Sequence, residues 1–401
     1  MHDHPMIFIC ALLLFSYGIF SRLSEKSIVT GPMFFVSVGM LIGPIGLNLF
    51  ELHFDAEVIK ILSEITLIII LFVDASLIRF TTIKQTLSGI PARLLLVGLP
   101  LTMGVGSIVA WLFFPDLNIW LIILIALILS PTDAALGQAV IKSDKVPSRI
   151  RESVSIESGL NDGIVLPLIL LCIAVLDVGR GAMDGSGNWL EFMTLQLSLG
   201  PIIGGAVGWV GGKIVDKAVS KGWMDKIFQS LSAVSLALMA YAFAELFYGN
   251  GFIAAFFAGL FLRIDSTEVR ERLQSFGEAE GQMLSLFIFF VVGLAAIPFA
   301  VSHITLSVVI YSIASLTLIR MVPVAISLIG SGVAPRMVFF IGWFGPRGIA
   351  SILYLLIAIG TLGTKGYETA YSVVILTIVL STFLHGATAV PFCNIIASQK
   401  Q

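Results

Sequence analysis

The chain has 401 residues, is 57% hydrophobic and only 12% charged, and carries a formal net charge of −2 with a mean hydropathy of +1.01. Soluble proteins are about 45–50% apolar and about 25% charged, so this composition excludes a water-soluble protein and implies one whose main partner is the lipid bilayer. Cys10, Cys172 and Cys393 stand far apart in separate apolar runs without CxxC spacing, which excludes a disulfide framework and a thiolate metal site.

Thirteen apolar windows are candidates to cross about 30 Å of hydrocarbon. The first, 6–22, follows His and Asp instead of Lys or Arg, so it is expected to be a retained span and not a signal peptide. Windows at 33–49, 57–78 and 90–114 come next, and the middle one carries Asp74. The fifth, 118–142, holds Leu129-Ser130-Pro131-Thr132-Asp133. Proline removes a backbone donor, and in lipid the freed carbonyls are tolerated only where they are buried or line a cavity.

The sixth window, 151–176, contains Glu157-Ser158-Gly159-Leu160-Asn161-Asp162. A carboxylate near the bilayer centre opposes insertion by about 2.5–3.5 kcal/mol on translocon scales, so two of them a turn apart point to ion traffic. At a helical spacing Glu157, Ser158, Asn161 and Asp162 share an arc of about 140°, which should face protein or water, while Ile156, Leu160 and Ile164 face elsewhere.

The seventh window, 193–218, has Gly204-Gly205, Gly208 and Gly211-Gly212, where helix backbones can approach closely. Windows at 228–248, 250–262 and 281–301 follow, the middle one short. Arg320 lies in the eleventh, 304–329, and Phe344-Gly345-Pro346-Arg347-Gly348 in the twelfth, 335–361. The thirteenth, 369–396, contains His385, read as a helix–helix contact.

Cytoplasmic loops hold the excess of Lys and Arg. Of the 23 basic residues, eighteen fall in odd-numbered loops, three (Lys60, Arg180 and Lys365) in even-numbered ones, and Arg320 and Arg347 lie within spans. The N-terminus is therefore expected outside and the C-terminus in the cytoplasm, in a plasma (inner) membrane. No soluble domain or regulatory tail is expected, and without a GxxxxGK[ST] loop no P-loop nucleotide site. Transport would run on a gradient, with no catalytic residue, resident cofactor or nucleic-acid partner.

Spans five and twelve are the second-last helices of spans 1–6 and 8–13. Two interrupted spans in matching positions of two halves indicate an inverted repeat with its site near the midplane. The expected fold class is an all-α polytopic membrane protein of about 13 transmembrane helices, an inverted repeat with two broken crossing helices. Half-helix ends are partly positive at N-termini and partly negative at C-termini. An Asp in one crossing and an Arg in the other would neutralise them.

On these motifs the chain resembles monovalent cation/proton antiporters of the NhaP and NHE type, over nearly its whole length. ESGLNDG in the sixth span carries that family's Glu, Ser, Asn and Asp at its spacing. SPTD is similar to the Thr-Asp of its unwound helix, and Arg347 in GPRG to the arginine of its GxRG-like motif. Arg320 resembles the family's other membrane arginine, which pairs with the glutamate matched by Glu157. Ala134 stands where a proline is common, and Asp74-Ala75-Ser76-Leu77 where Glu-Gly-Leu is frequent, which makes Asp74 a candidate in the ion path on a shorter arm. The resemblance implies an NhaA/NhaP-like single domain over 1–401, with 90–176 and 304–396 as ion-translocating core and 6–78 and 193–301 as scaffold and dimerisation helices of a homodimer.

Asp133, Glu157 and Asp162 bring three negative charges, and Arg320 and Arg347 two positive. The one left over is neutralised by a proton or a bound cation. Competition of Na⁺ (or Li⁺) and H⁺ for one site gives electroneutral 1:1 exchange. Asp162 is assigned as carrier and Asp133 as second anionic ligand, with Na⁺ expected at Asp133, Ser158 and Asp162 and further oxygen from Thr132. Two roles stay open for Ser158 and Thr132: ligation, or a hydroxyl bonded to its own helix backbone. Glu157 with Arg320 is read as a structural ion pair, and Asn161 as positioning its neighbour. K⁺/H⁺ exchange is the alternative within the class. An intramembrane protease lacks its GxGD or GxSG setting here, and a passive channel fits poorly with a leftover protonatable charge.

Overall fold

Every regular element among the described residues is helical, and the helices follow the apolar windows in order. The computed structural model describes residues 3–24, 27–54, 56–78, 89–133, 136–141, 143–178 and 189–398. Ala134 and six of the basic residues used for orientation, Lys26, Arg79, Lys84, Lys142, Arg180 and Lys400, lie outside these.

The first four spans are α1 (Asp3–Ser24), α2 (Gly31–Ile42), α3 (Glu57–Leu77) and α4 (Ile90–Phe113). The fifth is split into α5 (Ile119–Ile128) and the single turn α6 (Gln138–Ile141). Then come α7 (Ser148–Val178), α8 (Trp189–Ser220), α9 (Lys226–Leu246), α10 (Gly251–Leu260), α11 (Thr267–Val301) and α12 (Leu306–Ser327). The twelfth span is split into α13 (Pro335–Trp343) and α14 (Ile349–Leu362), and α15 (Glu368–Ser398) is the last. Among the described residues eight helices, α1, α4, α7, α8, α9, α11, α12 and α15, are long and apolar enough to cross a membrane; α2, α5, α10 and α14 are shorter apolar helices. The protein is thus an all-helical, polytopic membrane protein.

Two boundaries differ from the sequence windows. α2 stops at Ile42 instead of 49, because Pro44 cannot continue the helix and the chain turns back with Leu47 N–H bonded to Leu41 O at 2.6 Å. α11 starts at Thr267, fourteen residues before the apolar window. The Ser266 hydroxyl accepts the Val269 N–H, and Glu268 and Arg272 pair one turn apart at 3.4 Å, so this polar stretch is helical without being apolar.

Close packing holds the helices around α3, whose Leu67, Leu71 and Phe72 are fully buried. The small residues of α8 work as expected: a Cβ on Gly204 or Gly208 would run into the backbone of Ala254 or Ala258 in α10. Outside, Phe15, Leu112, Ile214 and Leu306 are among many large apolar side chains left exposed, a surface suited to hydrocarbon.

Candidate functional site

The two interrupted spans meet at their breaks. Pro131 and Pro346 each deny the helix a donor, and the residues around them are not helical. The freed backbone groups find partners across the crossing: Asp133 N–H donates to Pro346 O at 2.9 Å, and the Ser351 hydroxyl to Ile128 O at 2.6 Å.

Charges complete the crossing. The Asp133 carboxylate sits at the N-terminus of α14, where Oδ2 accepts the Ile349 N–H at 2.7 Å. The Arg347 guanidinium sits at the C-terminal end of α5, donating to Ser130 O and, at 2.9 Å, to Pro131 O. An anion thus faces a partly positive helix end and a cation a partly negative one, each supplied by the opposite crossing. Both side chains are buried, and Gly348 is needed for the fit because a Cβ there would overlap the Asp133 carboxylate.

α7 lies against this crossing with its polar arc inward. Glu157, Ser158, Asn161 and Asp162 are buried, whereas Ile156 and Leu160 are half-buried and Ile164 is exposed. Glu157 pairs with Arg320 of α12 at 2.7 Å, both side chains almost inaccessible. Desolvating two charges is tolerated only with geometry this close, and removing either one strands the other. The helix of Arg320 is itself interrupted at Thr317, three residues earlier.

The Thr132 hydroxyl is 3.0 Å from that of Ser158 and accepts the Asn161 Nδ2–H at 2.8 Å. These hydroxyls therefore bond across spans, and neither is bonded to its own backbone among the described residues. Oδ1 of Asp162 and Oδ1 of Asn161 are buried and have no hydrogen-bond partner among the described residues. They are oxygens of the kind an alkali cation takes as ligands.

Asp74, on α3, is half-buried, and its carbonyl lies 3.8 Å from where a Cβ on Gly159 would be. The structure therefore brings all nine sequence candidates, Asp74, Thr132, Asp133, Glu157, Ser158, Asn161, Asp162, Arg320 and Arg347, to one region. Sequence reasoning missed Tyr354, whose hydroxyl donates to Asp162 O at 3.1 Å, and Ser381, which accepts the Arg347 N–H at 2.7 Å. Only a polar residue inside an apolar run marked either of them.

A family model described as "Sodium/hydrogen exchanger, transmembrane" matches residues 9–395. The K(+)/H(+) antiporter NhaP2 of Shewanella oneidensis is 27% identical over 384 residues, 94% of this chain and 64% of that protein. Na(+)/H(+) antiporter 2 of Zygosaccharomyces rouxii is 27% identical over 356 residues, 84% of this chain and 43% of that protein. The chain thus spans less than two thirds of the length of these relatives. Among solved structures, the sodium proton antiporter MjNhaP1 from Methanocaldococcus jannaschii at pH 8 superposes with a TM-score of 0.76 at 19% identity, over 99% of this chain and 100% of that one, a likeness of fold.

Proposed function

The chain belongs to the sodium/hydrogen exchanger family, and we propose that it works as a secondary active antiporter exchanging Na⁺ or Li⁺ for H⁺, one for one and without net charge movement. The observation that carries this reading is the buried Oδ1 of Asp162, unpartnered among the described residues. Among the buried charges Asp133, Glu157, Asp162, Arg320 and Arg347, Glu157 is held by Arg320, and Asp133 and Arg347 each sit on a half-helix end. Asp162 is left as the carboxylate whose charge a proton or a cation must neutralise. Asp74 is half-buried and stays outside this count, as a relay on the ion path.

A bound Na⁺ would take oxygen from Asp162, Ser158 and Asp133, with Thr132 beside them and Asn161 Oδ1 as an addition to the set. A proton on Asp162 removes the charge that holds the ion, so the two species exclude each other. No bond of the cargo is made or broken, so the protein acts as a transporter and not as an enzyme. The core of 90–176 and 304–396 would carry the site past the scaffold of 6–78 and 193–301, in a homodimer with its N-terminus outside.

K⁺/H⁺ exchange is a second reading, favoured by the names of the NhaP2 relatives. Cation-driven proton movement in proteoliposomes, with Na⁺, Li⁺ and K⁺ tested separately, decides between them. Response to Na⁺ or Li⁺ supports the first reading, response to K⁺ alone the second. Conductance far above carrier turnover would indicate a channel and refute both.

A further inference from the structure

His385 has no task in the exchange described above, yet it is 1% exposed and lies against the break of the twelfth span. Its ring centroid is 5.1 Å from that of Trp343, the last residue of α13. Its Nδ1 is 3.0 Å from the Ser381 hydroxyl and 3.0 Å from the Ser381 carbonyl one turn back. The same hydroxyl accepts the backbone N–H of Arg347 at 2.7 Å. That N–H belongs to a non-helical segment inside the protein, where an unpaired donor is costly.

The proton of the Ser381 hydroxyl decides how well it can accept. Elsewhere in α15, Thr377 and Thr382 donate theirs to carbonyls four residues back, Val373 O and Ile378 O. Ser381 makes no such bond among the described residues, and the acceptor within its reach is His385 Nδ1. With Nδ1 unprotonated, the hydroxyl donates to the ring and turns a lone pair to the Arg347 N–H. With Nδ1 protonated, the ring donates to Ser381 O and the hydroxyl loses that acceptor. The first tautomer places the ring proton on Nε2, which is buried and closes no hydrogen bond among the described residues. The Trp343 backbone also lies beside the ring. Arg347 and Arg320 are the charged groups that face His385, so a second ring proton would be a third positive charge in that region.

We propose that His385, as a neutral imidazole accepting through Nδ1, is a positioning residue that acts through Ser381 to clamp the Arg347 backbone. The clamp fixes the guanidinium over the end of α5, and with it the place of Thr132 and Asp133. Its consequence for transport rests on the exchange reading, whereas the clamp on the Arg347 amide does not.

The full chain, purified and reconstituted, tests both parts. Ser381→Ala and His385→Leu remove the clamp, His385→Asn keeps an acceptor where Nδ1 was, and His385→Gln keeps a polar group only where Nε2 was. Hydrogen–deuterium exchange of the Phe344–Gly348 segment reads the Arg347 amide directly. Faster exchange is expected in Ser381→Ala, His385→Leu and His385→Gln, with near wild-type protection in His385→Asn. In transport, the cation KM should rise about tenfold in the first three, as for one lost buried hydrogen bond, at a preserved maximal rate. His385→Asn should restore the KM and keep the wild-type pH profile. Equal protection in all four variants, or rescue by Gln and not by Asn, overturns the clamp. A wild type that exchanges no cation but gives the expected deuterium pattern overturns the proposed function and supports the clamp.

Discussion

Gly348→Ala is a one-carbon test of how the two broken spans hold each other. The added Cβ would overlap Asp133 Oδ2 and come within 2.6 Å of its Cγ and 2.7 Å of its Cβ. The carboxylate would have to leave the α14 N-terminus and give up its 2.7 Å bond from Ile349 N–H. A hydrogen bond to a charged group contributes about 1.5–3 kcal/mol, and an anion at a helix N-terminus about 0.3–1 kcal/mol. Together these set the expected loss of stability at about 2–4 kcal/mol, measured by unfolding of the purified protein in detergent. The same substitution made in an Asp133→Gly background has neither carboxylate nor Cβ to displace, so it should cost much less there. Equal losses in the two backgrounds would refute the argument.

Three further outcomes follow from the same geometry. Glu157→Gln should destabilise the protein by about 3–5 kcal/mol, because it leaves Arg320 charged and buried without its partner; Glu157→Gln with Arg320→Met should recover much of that in the same unfolding assay. Gly163→Ala should impair folding or transport because a Cβ there would overlap the Phe256 ring of α10, and Phe256→Ala should relieve it. Tyr354→Phe removes the hydroxyl bonded to the Asp162 carbonyl; its expected cost is about 0.5–1.5 kcal/mol of stability, and an unchanged melting curve would show that bond to be idle.

Much of this was legible in the sequence because membrane burial makes polar residues expensive, so each one inside an apolar window stands out. ESGLND on α7, Asp133 beside Pro131 and Arg347 beside Pro346 were visible for that reason, and helical periodicity placed the α7 quartet on one face. What the sequence could not show was which end of which half-helix each charge meets, since that depends on how two segments about 200 residues apart cross. Ser351 and Ser381 were missed because a serine in an apolar helix ordinarily bonds to its own backbone; here each serves the crossing instead. The N-terminal half of α11 was missed for the opposite reason: hydropathy marks spans, and a capped polar helix before a span gives no such signal.

In the exchange proposed above one carboxylate, Asp162, holds either a proton or a cation. The most direct measurement is the number of protons released when the purified protein binds Na⁺, Li⁺ or K⁺ in weakly buffered detergent solution, for the wild type and for Asp162→Asn. One proton per bound cation in the wild type and none in the variant is the predicted result; proton release that persists in Asp162→Asn would contradict the account.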